Sequence, residues 1–387
     1  VIAGSADPQM RLFTVPRIAT DEPLAQVPGQ WQESGPASVP EFSAVAYHFG
    51  RELRKALGVP VGLISTNYGG TPAEAWTRRG VLEADPTLRT ILDNHDKARR
   101  GYSAARVQHN LALSAHSRAV EQAKAAGQAP PPAPRAPGNP AQSAQRPTGL
   151  YNAMIAPLIP YAIRGAIWYQ GESNAGQAYQ YRTLFPAMIE NWREDWGQGD
   201  FPFLFVQLAP FMKITPEPGE SAWAELREAQ YLTTRTVPNT AMAVITDVGD
   251  EADIHPKQKE PVGRRLALAA RALVYGQDVE YSGPEYHRMK REGNKVILSF
   301  KHVGRGLKSE GGLLRGFAIA GADRKWVNAQ AEIRGDKVVV WSHQVAEPVA
   351  VRYGWANFPT GNLWNADGLP ASPFRTDDFP LTTQPKP

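Results

Sequence analysis

Three short stretches of this chain carry the residue types that acyl transfer needs. The first is Asp253-Ile254-His255, which follows the apolar run Ala241–Thr246 and a polar loop, and precedes a long helical pattern over Pro261–Tyr275. That order places a histidine at the carboxyl end of a strand, where open α/β sheets put their active sites. A carboxylate two residues away can fix the tautomer of the ring and stabilise its protonated form, as a general base requires. The second stretch, Gln170-Gly171-Glu172-Ser173-Asn174, directly follows the apolar run Arg164–Tyr169. The third, Thr66-Asn67-Tyr68-Gly69-Gly70-Thr71, follows Val59–Ser65.

Each stretch has a use. Glycines ahead of a helix start let a backbone N–H point at a developing oxyanion with no side chain in the way. That suggests a backbone N–H of the Gly69-Gly70 turn as one oxyanion donor and a side chain, Gln170 or Asn174, as a second. His255 reads as the base, and Asp253 or Glu172 as its orienting acid. Each also has a plainer reading: a histidine capping a helix, a tight Gly-Gly turn, a polar loop. Three such loops leaving strand ends on one sheet edge favour a site.

The elements that must position them are legible as alternation. Phe42–Leu57 has helical spacing and Gly58 as its stop. Val59–Ser65, Arg164–Tyr169, Phe201–Leu208 and Ala241–Thr246 read as short buried strands, with helices at Tyr179–Trp196, Trp223–Arg235 and Pro261–Tyr275. Tyr151–Ile159 reads as a short helix. Short apolar strands alternating with amphipathic helices imply a mainly parallel, doubly wound α/β sheet. After about Gln277 the pattern becomes short strand runs separated by glycine or proline, at Lys295–Phe300, Phe317–Ala320, Glu332–Arg334, Val338–Trp341 and Val349–Tyr353. The expected division is a doubly wound α/β domain over 1–277 and a small antiparallel β domain over 278–387.

The region 82–147 stands apart as a helical and proline-rich insertion, with Ala129–Pro140 an extended linker, because proline fixes φ and removes donors. Between His95 and Pro147 eight basic residues face two acidic ones, an excess of six in a chain of net charge +4, so the remainder is about −2. The basic stretch has a single aromatic residue, Tyr102, which argues against a nucleic-acid platform and for a solvated excursion peripheral to chemistry. No apolar run approaches the roughly 20 residues that span a bilayer. Cysteine is absent, which excludes disulfides, thiolate metal sites and a cysteine nucleophile.

NYGGTPAEAW (Asn67–Trp76), WYQGESN (Trp168–Asn174), DIHP (Asp253–Pro256), VRYGWANFPTGNLWN (Val351–Asn365) and GLPASPFRTD (Gly368–Asp377) together resemble the sialate O-acetylesterase family of the SGNH hydrolase superfamily. The resemblance implies a flavodoxin-like SGNH hydrolase domain, no metal or cofactor, an acetylated carbohydrate as substrate, and a serine nucleophile. It sets Gly70 at the oxyanion-hole glycine, Gln170 to Glu172 in the third motif block, and His255 at the catalytic base. It also implies a periplasmic or secreted location.

The chain departs from this pattern at the nucleophile. The family carries its serine in a Gly-Gln-Ser-Asn-Met type segment after the first strand of the hydrolase domain, and none is present here. Ser5 lies in a polar opening, Ser173 belongs to another motif block, and Ser65 precedes the glycine loop by several residues. The chain opens on Val and reads as a mature or truncated product. The expectation is that an N-terminal segment supplies both a central strand and the serine, and that without it the sheet exposes apolar surface and unpaired edges. The superfamily's Asp-x-x-His also fails, because Ala252 stands three before His255; Asp253 and Glu172 both remain, with Glu172 preferred if Asp253 caps the following helix. The other readings are an acetylxylan-type polysaccharide deacetylase and an inactive carbohydrate-binding or scaffold relative.

Overall fold

The computed structural model describes residues 2–385. The α/β part begins with a strand the sequence pattern conceals, β1 (Asp7–Thr14), whose polar residues interrupt the apolar signal so that only Met10 and Leu12 are buried. After β2 (Gln32–Ser34) comes α1 (Ala44–Leu57), started by Ser43, whose side chain accepts the Ala46 N–H, and stopped by Gly58 at φ +68°. Such a cap contributes about 1 kcal/mol. β3 (Val61–Ser65) pairs in parallel with β1, and β2 pairs antiparallel with β1 on its far side.

A second group holds β4 (Ala166–Trp168), β5 (Phe203–Val206) and β6 (Thr240–Ala243), all parallel and in that spatial order. Between the two groups lie α2 (Arg79–Ala84) and α3 (Pro86–Ala125), and the later strands alternate with α4 (Ala178–Trp196), α5 (Ala222–Thr236) and α6 (Glu260–Leu273). The helical part of the insertion is one short helix and one of 40 residues, the longer capped by the Asp85 carboxylate and buried only at Leu88 and Leu92. Residues 128–139 form no regular structure. The expected helix at Tyr151–Ile159 is a π turn over Tyr151–Ile155 followed by a 3-10 turn.

Side-chain alternation shows the layers. Phe203 and Phe205 of β5 face Trp168, Phe185 and Leu226 on the α4–α5 side, whereas Leu204 and Val206 face Val262, Leu266 and Leu53 on the α1–α6 side. Helices therefore cover both faces, as a doubly wound sheet requires. α1, beside β3, packs directly on α6, beside β6; at their crossing a Cβ on Gly263 would stand 2.7 Å from backbone atoms of Val45 and Phe49, so only glycine allows the approach.

The two strand groups do not meet. β3 pairs only with β1, and β4 only with β5. Every residue of β5 is buried, but Val61, Gly62 and Ile64 of β3 and Ala166 and Ile167 of β4 are not. A cavity of about 1010 Å³ separates them, walled by Phe49, Leu53, Leu63, Ile167 and Leu204. Near its amino end the rings of Trp31 and Tyr161 stand 5.9 Å apart.

The C-terminal part is a β structure. One antiparallel sheet orders β12 (Gln330–Arg334), β13 (Lys337–Trp341), β8 (Lys295–Lys301) and β7 (Glu285–Glu292); the other orders β11 (Trp326–Asn328), β10 (Phe317–Ala320), β14 (Ala350–Tyr353) and β16 (Phe374–Arg375). β9 (Leu307–Ser309) and β15 (Leu363–Asn365) form a small antiparallel pair. Val296, Leu298, Ile319, Val338, Val340 and Val351 make the core between the sheets. β7 was invisible to apolar patterning because its eight residues, Glu-Tyr-His-Arg-Met-Lys-Arg-Glu, are mostly charged.

Polar groups join the two parts. Arg227 of α5, fully buried, donates to the carbonyls of Leu208, Ala209, Ala356 and Asn357. Arg352 pairs with Asp377 at 3.0 Å and Glu220 at 2.9 Å, and its guanidinium lies between the rings of Trp326 and Trp355. Arg227→Met should be strongly destabilising, because each buried carbonyl left unpaired costs about 1–3 kcal/mol. A loss of at least about 3 kcal/mol is expected in urea unfolding; an unchanged midpoint would show that the junction does not depend on this side chain.

Candidate active site

The loops after β3, β4 and β6 all reach one end of the slot between β3 and β4. Asn67, Gly70, Gln170, Glu172, Ser173 and His255 line the same cavity. The topology gives the reason, since each loop leaves the carboxyl end of a parallel strand.

The loop after β3 is tied down at several points. Thr66 Oγ1 donates to the Met154 carbonyl, Asn67 Nδ2 donates to Ser65 Oγ at 2.7 Å, and Thr71 Oγ1 donates to the Tyr68 carbonyl while accepting from Trp76 Nε1. Gly70 has φ +72°. Its carbonyl accepts from Gln145 Nε2 at 2.8 Å, so the last residues of the 82–147 insertion touch the glycine loop. That contact had no signature in the sequence, where the insertion read as peripheral.

The loop after β4 is locked to it by a buried amide network. Gln170 Nε2 donates to Asn174 Oδ1 at 2.6 Å and to the Thr71 carbonyl at 3.3 Å, and Gln170 Oε1 accepts from Tyr181 Oη at 2.9 Å. Gln230 of α5 donates to the Gln170 carbonyl. Asn174 Oδ1 also accepts the Ala73 N–H, and Asn174 Nδ2 donates to Glu74 at 2.9 Å. Asn174 is therefore fully engaged in joining the loops and does not line the cavity. Burial pushes the Glu74 carboxyl above its ordinary range, against the pull of the Asn174 bond. Gly171, at φ +153°, leaves no room for a side chain: a Cβ there would lie 2.5 Å from Leu226 Cδ2.

His255 stands at the opposite wall with its side chain 80 % exposed, 3.4 Å from Asp253 through Nδ1. Asp253 Oδ1 also accepts the His255 backbone N–H at 2.9 Å, which with the neighbouring charges holds the carboxyl below its ordinary range. Asp253 does not cap α6; its side chain closes a turn on its own histidine. Glu172, half-buried, has its pKa raised by burial, and the nearby His255 and Lys259 oppose that rise. Lys259 lies 5.4 Å from the centroid of the Tyr169 ring, and burial lowers its pKa against the attraction of Glu172 and Asp253. The arrangement gathers a glycine turn, amide donors, an accessible imidazole and two carboxylates. Of the serines considered, Ser173 is exposed on the cavity wall and Ser65 is buried, with its hydroxyl accepting from Asn67.

A family model described as carbohydrate esterase, sialic acid-specific acetylesterase, matches residues 136–272, a span that holds Gln170, Asn174 and His255 but not the glycine loop. Mouse sialate O-acetylesterase is 30% identical over 403 residues, covering 94% of this chain and 70% of the relative. The chain belongs to the sialate O-acetylesterase family. Human sialate O-acetylesterase is 28% identical over 398 residues, covering 94% of this chain and 68% of its own. Among solved structures, a carbohydrate acetylesterase from Xanthomonas citri is 40% identical with a TM-score of 0.80, covering 98% of this chain and 75% of that one. Three of the motif blocks that carry the family resemblance, Asn67–Trp76, Trp168–Asn174 and Asp253–Pro256, form this site, whereas Val351–Asn365 and Gly368–Asp377 lie in the C-terminal β part.

Removing Asn174 tests the network separately from chemistry. Asn174→Ala should leave the Ala73 N–H, the Gln170 amide and Glu74 short of a partner, and lower stability by about 1–3 kcal/mol. Asn174→Asp should not restore it, since a carboxylate facing Glu74 has no N–H to donate. Denaturant midpoints of the two variants equal to wild type would show that the loops hold without this clamp.

Proposed function

We propose that the chain is the larger part of a serine carbohydrate O-acetylesterase acting on acetylated sialic acid or a related sugar, with the nucleophile carried on an N-terminal segment. The observation that supports this most directly is the slot. Two parallel strands face each other across it with unpaired edges, its walls are apolar, and the glycine loop, the Gln170–Glu172 block and His255 gather at its carboxyl end. Protein interiors contain few voids larger than a water molecule. A parallel strand entering the slot would pair both edges, cover the apolar walls, and end where a nucleophile is needed. The relatives' greater length leaves room for such a segment, and the family resemblance extends the proposal to a periplasmic or secreted enzyme.

The chemistry follows from the wall residues. The serine hydroxyl attacks the acetyl carbonyl while His255 takes its proton. The oxyanion is met by the Gly70 N–H and by Gln170, whose 3.3 Å bond to Thr71 is the weaker of its two donations. Collapse returns the proton from His255 to the departing sugar oxygen and leaves an acetyl-serine. Water, deprotonated by His255, then attacks the acetyl group and releases acetate and the free serine. Glu172 or Asp253 orients the imidazole through these steps.

Three experiments test this reading. Expressed alone, the chain should be poorly packed and inert to a serine-directed organophosphonate; co-expression with the N-terminal segment should restore solubility and place the label on that segment. If the isolated chain folds cooperatively and hydrolyses acetyl esters, the nucleophile lies within it, and Ser173 is the first residue to mutate. In the complemented protein, His255→Ala should lower turnover of an activated acetyl ester by about a thousandfold or more, whereas activity within about tenfold of wild type would remove His255 from the mechanism. Gln170→Ala should lower kcat by about 10²–10³ with a much smaller rise in KM; a pure KM effect would assign Gln170 to ground-state binding.

A further inference from the structure

Three side-chain cations with different surroundings line the slot: Arg164, just before β4 and 5.8 Å from the centroid of the Tyr275 ring, Lys259 on the β4 side, and Arg17, just after β1, on the β3 side. Lys259 has Glu172 and Asp253 to interact with. Arg17 has no carboxylate: its Nε and Nη2 donate to the backbone and side-chain oxygens of Asn67, at 3.3 and 3.1 Å, and among the described residues it forms no ion pair. Asn67 is in turn held by its bond to Ser65 Oγ. The guanidinium is thereby fixed in place while Nη1 makes no hydrogen bond among the described residues. It is an exposed, pre-organised cation two residues from the glycine turn.

We propose that Arg17 is a specificity-determining residue that pairs with the carboxylate of an anionic acetylated sugar, so that the site favours an acidic sugar ester over a neutral one. This rests on the esterase reading above. Arginine suits the task because its planar fork meets a carboxylate with two donors, and holding the fork in advance reduces the ordering cost on binding. Bound this way, the sugar carboxylate would anchor the substrate on the β3 side while its acetyl group reaches the loops at the mouth. The competing role for Arg17, a brace for the Asn67 loop, would affect every substrate alike.

The test uses the complemented protein and two substrates, an O-acetylated sialic acid and its methyl ester, which differ by one methyl group and by the carboxylate charge that the ester lacks. Wild type should prefer the free acid, and Arg17→Gln should reduce the ratio of kcat/KM for acid over methyl ester by about tenfold, the size expected for one charge-assisted contact. Arg17→Lys should recover part of that ratio, and rising salt should erode it in wild type more than in Arg17→Gln. An unchanged ratio in Arg17→Gln, even with both rates lowered, would overturn the inference and leave Arg17 as a brace; so would a wild type with no preference for the acid. If wild type hydrolyses neither sugar nor an aryl acetate, the esterase reading falls and takes the inference with it, an outcome distinct from hydrolysis with an unchanged ratio.

Discussion

A strand inside a parallel sheet must satisfy its backbone on both sides and cover both faces, and β3 and β4 each do so on one side only. What keeps the halves in register is packing at a distance from the gap. α1 crosses α6 at Gly263 on one face, and Thr66 reaches the Met154 carbonyl on the other. These contacts hold the walls apart at a fixed spacing, so the slot is a preserved shape lined by Leu53, Leu63 and Leu204. Open edges beside apolar walls are also a template for unwanted strand pairing. On the proposed reading, the feature that would accept a further strand also makes the chain without it prone to aggregation.

The second dependence is the amide network. The glycine loop and the Gln170 block come from different strands on opposite sides of the slot, and no strand pairing relates them. Asn174 and Gln170 supply the connection, with Tyr181 and Gln230 fixing Gln170 from below. Fully satisfied buried amides of this kind give positional precision at small net energy, because each bond replaces one made to water. Any shift of one loop is therefore transmitted to the other. Gly70 also accepts from Gln145, which adds a third segment to the coupled set.

Much of this was legible in the sequence, for identifiable reasons. β5 and β6 announce themselves because both faces are buried and nearly every residue is apolar; α1 and α4 are bounded by Gly58 and Gly197 in left-handed conformation. The loops after strands could be placed on one edge because parallel topology leaves no other arrangement. β1 and β7 were missed because their polar and charged residues lie on half-exposed strands, where alternation is blurred. The engagement of Asn174 with Glu74 was out of reach, since a hydrogen bond between residues a hundred positions apart has no local signature. A polar residue in a motif block can serve chemistry or hold a neighbour, and spacing alone does not separate the two.

The same distinction bears on which acid orients His255. Asp253 lies beside the ring, but its carboxylate already accepts the histidine's own N–H, and both groups face water, where a charge pair is screened and contributes little. Glu172 is set deeper, and burial raises its pKa, so ionising it is costly until a cation compensates. His255 and Lys259 are placed to do so. On the proposed reading, a strand filling the slot would remove water from this end of the cavity, which strengthens the attraction between Glu172 and an imidazolium more than it changes the exposed Asp253 pair. The two carboxylates then divide the work by depth. On that reading Asp253 shapes the turn that presents the ring, and Glu172 would become the electrostatic partner as the sheet closes, so that assembly of the sheet and activation of the base would be one event.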